Sequence, residues 1–165
     1  MLRSAISVAV ADAGPLIALA RLDRLALLSG LFGQVLVPEA VFAECTARRD
    51  LADAASIRHA CESGALTLCI ATPIAATDLG RGERSAIGKA LELKAALVAD
   101  DLAARRRAEA LGLITIGTLG VLVQAKRMGL LPEVRPAVDQ LRAGGYWLGD
   151  ELLRAALRTA GESDE

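Results

Sequence analysis

The sequence predicts an α/β protein in which a parallel sheet is covered by helices on both faces. Short apolar runs alternate along the chain with longer stretches whose apolar residues recur at helical spacing, the pattern of successive strand and helix units. Hydrophobic residues make up 53% of the 165 residues, but only four residues are aromatic. We therefore expect one core built from Ala, Leu, Val and Ile.

Five short apolar segments are predicted to be the buried strands. Each is bounded by turn-forming or charged residues, and a parallel sheet buries such strands on both faces. The segments span residues 6–11, 34–37, 65–70, 96–99 and 113–116. The third alternates in polarity, which favours a position at an edge of the sheet.

Helices are predicted in the intervals and after the last strand. Pro15 and Pro38 each fit the first turn of a helix. Gly64 and Gly112 fit helix C-termini, and Thr118 is a good N-cap. The predicted helices span residues 15–23, 23–33, 38–48, 50–63, 83–94, 101–112, 119–129, 133–143 and 150–160.

Composition and length limit the possible functions. We expect a single domain over residues 1–160 and a disordered tail over residues 161–165. No apolar run approaches the ~20 residues of a membrane span, and no signal-type N-terminus is present, so we expect a cytoplasmic protein without membrane contact. The net charge of −1 excludes a globally basic nucleic-acid binder. Three cysteines without metal-ligand spacing are predicted to be buried, reduced thiols.

Acidic residues follow two of the predicted strands. Asp12 comes directly after the first strand, and Asp100 and Asp101 come after the fourth. If these strands are neighbours in a parallel sheet, their acids share a pocket at its carboxyl edge. Two further acids are candidates for this pocket: Glu83, in the first turn of the helix before the fourth strand, and Glu44, on the helix after the second.

Several carboxylates in one pocket predict a divalent cation. Clustered carboxylates repel one another unless a counter-charge is present, and Mg²⁺ prefers hard oxygen ligands. A bound metal activates water and stabilises the oxyanion that leaves a phosphodiester. This chemistry needs no Ser, His or Cys nucleophile, and we interpret the single His59 as structural or exposed.

Each acid also fits a purely structural role. Asp12, before Gly14 and a proline, is a typical turn former. Glu83 suits the positive end of a helix dipole. Asp100 or Asp101 can cap the helix that follows. Two strand-terminal acids directed at one edge favour a shared site over two separate caps.

Arginines near the predicted pocket are candidates for binding phosphate. The consecutive side chains of residues 105–107 point in different directions around a helix, so they cannot all face one ligand. Arg105 lies one turn after Asp101 and can pair with a phosphate or a carboxylate. Arg81, flanked by glycines, is a second candidate for the substrate backbone.

Five segments at these separations resemble the PIN-domain nucleases. Within that superfamily they are similar to the branch related to the VapC toxins of bacterial and archaeal toxin–antitoxin pairs. The resemblance covers almost the whole chain and rests on the segments VADAGPLIAL, VPEAVFAEC, LGRGERSAI, ALVADDLAARRRAEALG and IGTLGVLVQAKRMGL.

The resemblance implies a fold, an activity and partners. The implied fold is a three-layer α/β/α sandwich with a short central parallel sheet. The implied activity is a Mg²⁺- or Mn²⁺-dependent endoribonuclease that hydrolyses single-stranded or structured RNA as the toxin of a toxin–antitoxin pair. The expected partners are a cognate antitoxin and a second copy of the chain in a homodimer.

The family's acids can be carried over by position. Asp12 matches the first acid, Glu44 the second, Glu83 the third, and the Asp100 and Asp101 pair the fourth. All five are implied catalytic residues, and all except Glu44 are implied metal ligands. Aligning on the strand end favours Asp100 as the ligand of the pair, whereas the spacing in the toxins permits Asp101.

One position departs from the family pattern. PIN domains usually carry Ser or Thr two residues after the first acid, where this chain has Gly14. Losing a group that supports metal ligands typically lowers affinity or activity about 10–100-fold. A catalytically weakened binding or regulatory module is therefore the alternative. Thr118 is a further implied member of the pocket.

Other classes of α/β protein are excluded by the residues at particular positions. A phosphoaspartate receiver needs a Lys after the last strand, where Gly117 and Thr118 stand. A phosphatase of the haloacid-dehalogenase type needs a second Asp at position 14. The turn after the first strand is no G-x-G-x-x-G dinucleotide motif.

Overall fold

The computed structural model describes residues 7–162 and confirms the α/β/α sandwich. Its strands are β1 (Val8–Ala11), β2 (Gln34–Pro38), β3 (Thr67–Cys69), β4 (Ala96–Val98) and β5 (Thr115–Ile116). They form one parallel sheet in the order β3-β2-β1-β4-β5. The third predicted strand lies at an edge, as expected. Residue 6 of the first predicted strand lies outside the described residues.

Helices flank this sheet on both faces. In chain order they are α1 (Ala13–Arg21), α2 (Ala26–Leu31), α3 (Glu39–Cys45), α4 (Ala52–Glu62), α5 (Arg81–Leu93), α6 (Leu102–Ala110), α7 (Thr118–Arg127), α8 (Arg135–Ala143) and α9 (Asp150–Thr159). All predicted helices are present with shifted bounds; most are shorter than predicted, whereas α5 begins two residues earlier, at Arg81. None of them, within the described part of the chain, is long and apolar enough to cross a bilayer.

The register of the two central strands brings their carboxyl ends together. Ala11 of β1 pairs with Val98 of β4, and both side chains are fully buried. The chain continues from this level into Asp12 on one strand and into Asp100 and Asp101 on the other. The acids therefore emerge at one edge of the sheet, as the sequence predicts.

Helix α5 carries a further acid to the same edge. It packs across β1, β2 and β4, because Ala86, Ile87 and Ala90 form a fully buried apolar face. It leads into β4 and runs opposite to the strands, so its N-terminus with Glu83 lies at their carboxyl edge. Its C-terminal residue Leu93 lies at the opposite edge.

Thr118 differs from its predicted role as an N-cap. Gly117 occupies the N-cap position of α7, and Thr118 is the first helical residue. The reason is that both the N–H and the hydroxyl group of Thr118 donate hydrogen bonds to Asp100. Gly64 and Gly112 directly follow helix C-caps with positive φ angles, as predicted.

Glu162 lies in the stretch predicted to be a tail, yet it binds the folded domain. Its carboxylate accepts hydrogen bonds from the backbone N–H groups of Val134 (2.7 Å) and Arg135 (3.1 Å) at the start of α8. It also accepts one from Lys126 Nζ at 3.2 Å. Residues 1–6 and 163–165 lie outside the described residues.

Only one of the three cysteines is buried, although burial was predicted for all three. Cys45 is buried, Cys61 and Cys69 are half-buried, and all three are free. Burial is the main cause that raises the pKa of each thiol, to about 12 for Cys45. His59 is exposed on α4, which agrees with its interpretation as structural or exposed.

Candidate metal centre

Asp12 is a buried carboxylate at the carboxyl end of β1. It is 6% exposed, and its backbone N–H donates to the Val98 carbonyl oxygen at 2.9 Å. Within residues 7–162 the fully buried Oδ1 atom has no hydrogen-bond partner. Such an oxygen is unusual, because nothing compensates its lost hydration. Burial is the main cause that raises the pKa of Asp12 to about 6, against the effect of a hydrogen bond from the Ala13 backbone.

Three other acids lie close enough to interact with Asp12. The negative charges of Glu83, Glu44 and Asp101 add to the rise in the pKa of Asp12. Burial also raises the pKa of Glu83, opposed by a hydrogen bond from Gly80 and reinforced by the charges of Asp101 and Glu44. We call Asp12, Glu44, Glu83 and Asp101 the acidic cluster. Their mutual repulsion favours a bound cation.

Packing of α3 against α5 brings Glu44 to this cluster. A Cβ atom added at Gly82 would lie 3.7 Å from both carboxylate oxygens of Glu44. The Glu44 side chain therefore lies over the first turn of α5, beside Glu83. The Gly80 N–H donates to Glu83 Oε2 at 3.3 Å, which fixes the Glu83 side chain at the helix N-terminus.

The two adjacent acids after β4 have different surroundings. Asp101 caps α6 by accepting a hydrogen bond from the Ala104 N–H at 2.9 Å, and its charge acts on Asp12 and Glu83. Asp100 accepts from the Thr118 N–H (2.7 Å to Oδ1) and the Thr118 hydroxyl (2.6 Å to Oδ2). Of the two, we therefore group Asp101 with Asp12, Glu44 and Glu83.

Tyr146 is a site residue that the sequence prediction missed. Its hydroxyl donates a short hydrogen bond to Asp100 Oδ2. A Cβ atom at Gly14 would lie 3.7 Å from that same oxygen. Tyr146 thus supplies a hydroxyl to the carboxylate that faces Gly14, the position where the family pattern has Ser or Thr. The only sequence signal was that Tyr146 is the sole tyrosine of the chain.

The predicted substrate-binding residues lie in three different settings. Arg105 is half-buried, and its Nη1 atom lies beside Asp100 across Gly117, where an added Cβ atom would be 2.9 Å from both side chains. Arg81 is exposed at the first position of α5. Thr118 is buried and donates hydrogen bonds to Asp100 from its N–H and its hydroxyl group.

The donor set fits a hard divalent cation, although the ligands are not assembled around one. The acidic cluster offers only carboxylate oxygens, the donors that Mg²⁺ and Mn²⁺ prefer, and one of these oxygens is buried without a partner. Among residues 7–162 no group of three or more His, Cys, Asp or Glu residues has an arrangement that could hold a metal ion as it stands. Binding would require side-chain rotation, which the exposed Glu44 and Asp101 permit.

Comparisons with known proteins agree with this architecture. The chain resembles a PilT N-terminus domain protein from the hyperthermophilic archaeon Sulfolobus solfataricus, with 21% identity and a TM-score of 0.51 over 72% of this chain and 92% of that chain. At this identity the likeness supports the fold alone. A search of curated proteins finds no match. The family model DUF3368, described as a PIN domain, matches residues 8–162. The chain therefore belongs to the PIN domain family.

Proposed function

We propose that this chain is a metal-dependent endoribonuclease whose acidic cluster binds Mg²⁺ or Mn²⁺. The observation that carries the proposal is the buried, unpartnered Oδ1 atom of Asp12 beside three further carboxylates. A buried carboxylate oxygen without a hydrogen-bond partner is unfavourable, so we expect a ligand to supply the missing partner. PIN domains are typically nucleases, which agrees with this reading.

Two acids of the cluster have fixed positions, and the other two can rotate. Asp12 and Glu83 hold fixed positions at a strand end and a helix start. Glu44 and Asp101 are exposed and can rotate towards a cation. When bound, the ion supplies Lewis acidity for the attack of water on a phosphodiester. The carboxylates orient the water and accept its proton.

Asp101, rather than Asp100, is the proposed ligand of the adjacent pair. Asp101 shares the electrostatic environment of Asp12, whereas Asp100 is held by Thr118 and Tyr146. In this proposal Asp100 is a positioning residue that fixes the end of β4 and the start of α7. Arg105 and Arg81 bind the RNA backbone, because an arginine forms paired hydrogen bonds with a phosphate.

A pair of matched variants tests the proposal. We expect Asp12→Asn to lower the rate of Mn²⁺-dependent RNA cleavage by more than about 100-fold and to abolish Mn²⁺ binding in calorimetric titration. Asp139→Asn removes an exposed carboxylate of α8, outside the cluster, and serves as the control. Normal cleavage by Asp12→Asn, or no Mn²⁺ binding by the unmodified protein, would overturn the proposal.

We also propose that the nuclease is the toxin of a toxin–antitoxin pair and acts in the cytoplasm as a homodimer. Resemblance to the toxin branch supports this role. If it is correct, expression alone arrests growth, and co-expression of a short neighbouring reading frame relieves the arrest. Growth arrest by the Asp12→Asn variant would contradict a toxin that acts through cleavage. Sedimentation at micromolar concentration tests the dimer.

Gly14 favours one rival function, a binding or regulatory module that has lost catalysis. The position lacks the hydroxyl of the family pattern, and no metal site is assembled in the described residues. The rival predicts RNA binding without turnover at any Mn²⁺ concentration. Metal-dependent turnover that disappears in Asp12→Asn would remove it.

A further inference from the structure

A wide groove opens beside Asp100. It lies between the β5 edge, α7, α9 and the segment 144–149, and its volume is about 940 Å³. Its lining is mainly apolar, with Asp100 and Arg105 at one end and Trp147 among its walls. Because Asp101 directly follows Asp100, the groove adjoins the acidic cluster.

Trp147 presents an uncovered indole ring to this groove. It is 86% exposed, whereas its neighbours Tyr146 and Leu148 pack against the core. A tryptophan is among the largest apolar side chains, and exposing one forgoes the free energy of its burial. An isolated aromatic face of this kind is typical of a surface that binds a planar ligand.

The residue before Trp147 is anchored to the rest of the fold. The Tyr146 N–H donates to the Leu141 carbonyl oxygen at 2.9 Å, and the Tyr146 hydroxyl is bound to Asp100. A Cβ atom at Gly149 would lie 3.6 Å from Cη2 of the indole, so the ring lies beside the start of α9.

Arg105 supplies the positive charge of the groove. It is half-buried and lines the groove near Asp100. Among residues 7–162 the ion pairs within 4 Å do not include Arg105, although its Nη1 atom and Asp100 Oδ1 both approach Gly117. A cation with this environment is complementary to an anion, and its planar donors match a phosphate.

We propose that Trp147 and Arg105 form a binding site for one unpaired nucleotide of the RNA, whose base stacks on the Trp147 indole and whose phosphate pairs with Arg105. The inference rests on the proposed nuclease function and assigns these two residues as the ones that hold an unpaired nucleotide beside the acidic cluster. Stacking tolerates any base because every base has a π-face. The site therefore selects unpaired over paired RNA rather than a particular sequence.

Trp147 is the only tryptophan of the chain, so its fluorescence reports on the groove directly. The probe is a 12-nucleotide single-stranded RNA of mixed sequence, titrated in EDTA so that no cleavage occurs. We expect saturable quenching of the emission. A duplex of the same sequence should quench less, because its paired bases cannot stack on the ring.

Variants test whether the ring itself binds. By anisotropy of labelled RNA, Trp147→Ala should raise Kd about 5- to 100-fold, whereas Trp147→Phe should stay within about 5-fold of the unmodified protein. The control is Leu93→Ala, which truncates a side chain 45% exposed at the opposite edge of the sheet.

Two outcomes would overturn the inference: unchanged affinity in Trp147→Ala, or an emission shift that appears with rising protein concentration in the absence of RNA. The second would mean that another copy of the chain covers the groove. If the protein cleaves RNA and the cleavage does not depend on Trp147, the binding site is wrong but the nuclease proposal stands. Binding that depends on Trp147 without any cleavage supports the site and overturns the nuclease proposal.

Discussion

Asp12 is a buried carboxylate whose ionisation opposes folding. The rise of its pKa from 3.8 to about 6 means that ionising it in the fold costs roughly 3 kcal/mol. For an acid whose folded pKa is raised, folding stability is greatest below the unfolded pKa and declines as pH rises through the folded value. The metal-free protein should therefore lose stability between about pH 4 and pH 6 because of this residue.

Neutralising Asp12 should consequently stabilise the metal-free protein while removing its activity. We expect Asp12→Asn to increase the free energy of unfolding in EDTA by about 1–3 kcal/mol at pH 7, because a buried charge is replaced by a neutral group. Urea denaturation measures the change, with the exposed Asp139→Asn as control. A destabilised Asp12→Asn protein would show that the carboxylate has a structural partner instead.

Unlike the Oδ1 atom of Asp12, the Tyr146 hydroxyl has a hydrogen-bond partner. Burial is the main cause that raises its pKa, and the hydrogen bond to Asp100 adds to the rise. The phenol therefore stays protonated and donates to Asp100 over the working pH range.

Tyr146→Phe tests the contribution of this hydrogen bond. We expect a loss of about 1–3 kcal/mol of unfolding free energy, because a half-buried carboxylate loses a donor. The comparison variant is Thr115→Val, which removes an exposed hydrogen bond to Glu109 and should cost less. Equal losses in urea denaturation would argue against a special role for the Tyr146 hydroxyl.

The sequence could predict that Asp100 and Asp101 lie at the site, but not how they differ. Both follow a buried apolar run, and this pattern is visible in the chain. Their difference depends on Thr118 and on Tyr146, which is 46 positions from Asp100. No local pattern encodes a hydrogen bond between such distant residues.

Among the secondary-structure elements, the turn between β5 and α7 is the most tightly constrained part of the site. Asp100 and Arg105 both approach Gly117 so closely that a Cβ atom would be 2.9 Å from each. Gly80 is a useful comparison, because it also precedes a helix but has no atom within 4 Å of an added Cβ.

We therefore expect Gly117→Ala and Gly80→Ala to differ. Gly117→Ala should destabilise the fold by about 1–3 kcal/mol, since the added methyl group must displace Asp100 or Arg105. Gly80→Ala should change stability by less than about 1 kcal/mol. Thermal denaturation of both variants is the measurement, and equal shifts would contradict the steric explanation.

The elements themselves were predictable where apolar periodicity was strong. Helix α5 and strands β1, β2 and β4 are buried against one another, so their apolar patterns are nearly complete. Bounds were predicted less well at β5, which has two residues instead of four. The predicted end at Ile116 is confirmed, and the difference lies at the start, where Leu113 and Ile114 are outside the strand. The length of an apolar run does not fix where pairing with a neighbouring strand begins.

For the molecule as a whole, Glu162 links the last described turn to the rest of the fold. Its partial burial opposes ionisation, but the N–H groups of Val134 and Arg135 and the Lys126 ammonium lower its pKa below the ordinary value. An acid with a lowered pKa contributes stability above its unfolded pKa, and this contribution is lost as pH falls through the folded value.

Glu162→Gln should therefore destabilise the protein more at neutral pH than in acid. We expect a loss of about 1–2 kcal/mol at pH 7, because a charged acceptor is removed from a helix N-terminus. At about pH 3 the difference should be smaller than at pH 7, because protonation of the carboxyl removes the charged acceptor as the pH falls through its lowered pKa. Urea denaturation at both pH values measures it. A difference independent of pH would show that the charge is unimportant.

The short outer strands of the sheet have a further consequence for solubility. An exposed edge offers unpaired backbone groups to which another chain can add a strand, and edges that are short resist such polymerisation. Here the sheet ends in β3, with three residues, and β5, with two. The chain is 53% hydrophobic. Because its edge strands are so short, they offer few backbone groups with which a strand of another chain could pair, and this opposes amyloid-like growth.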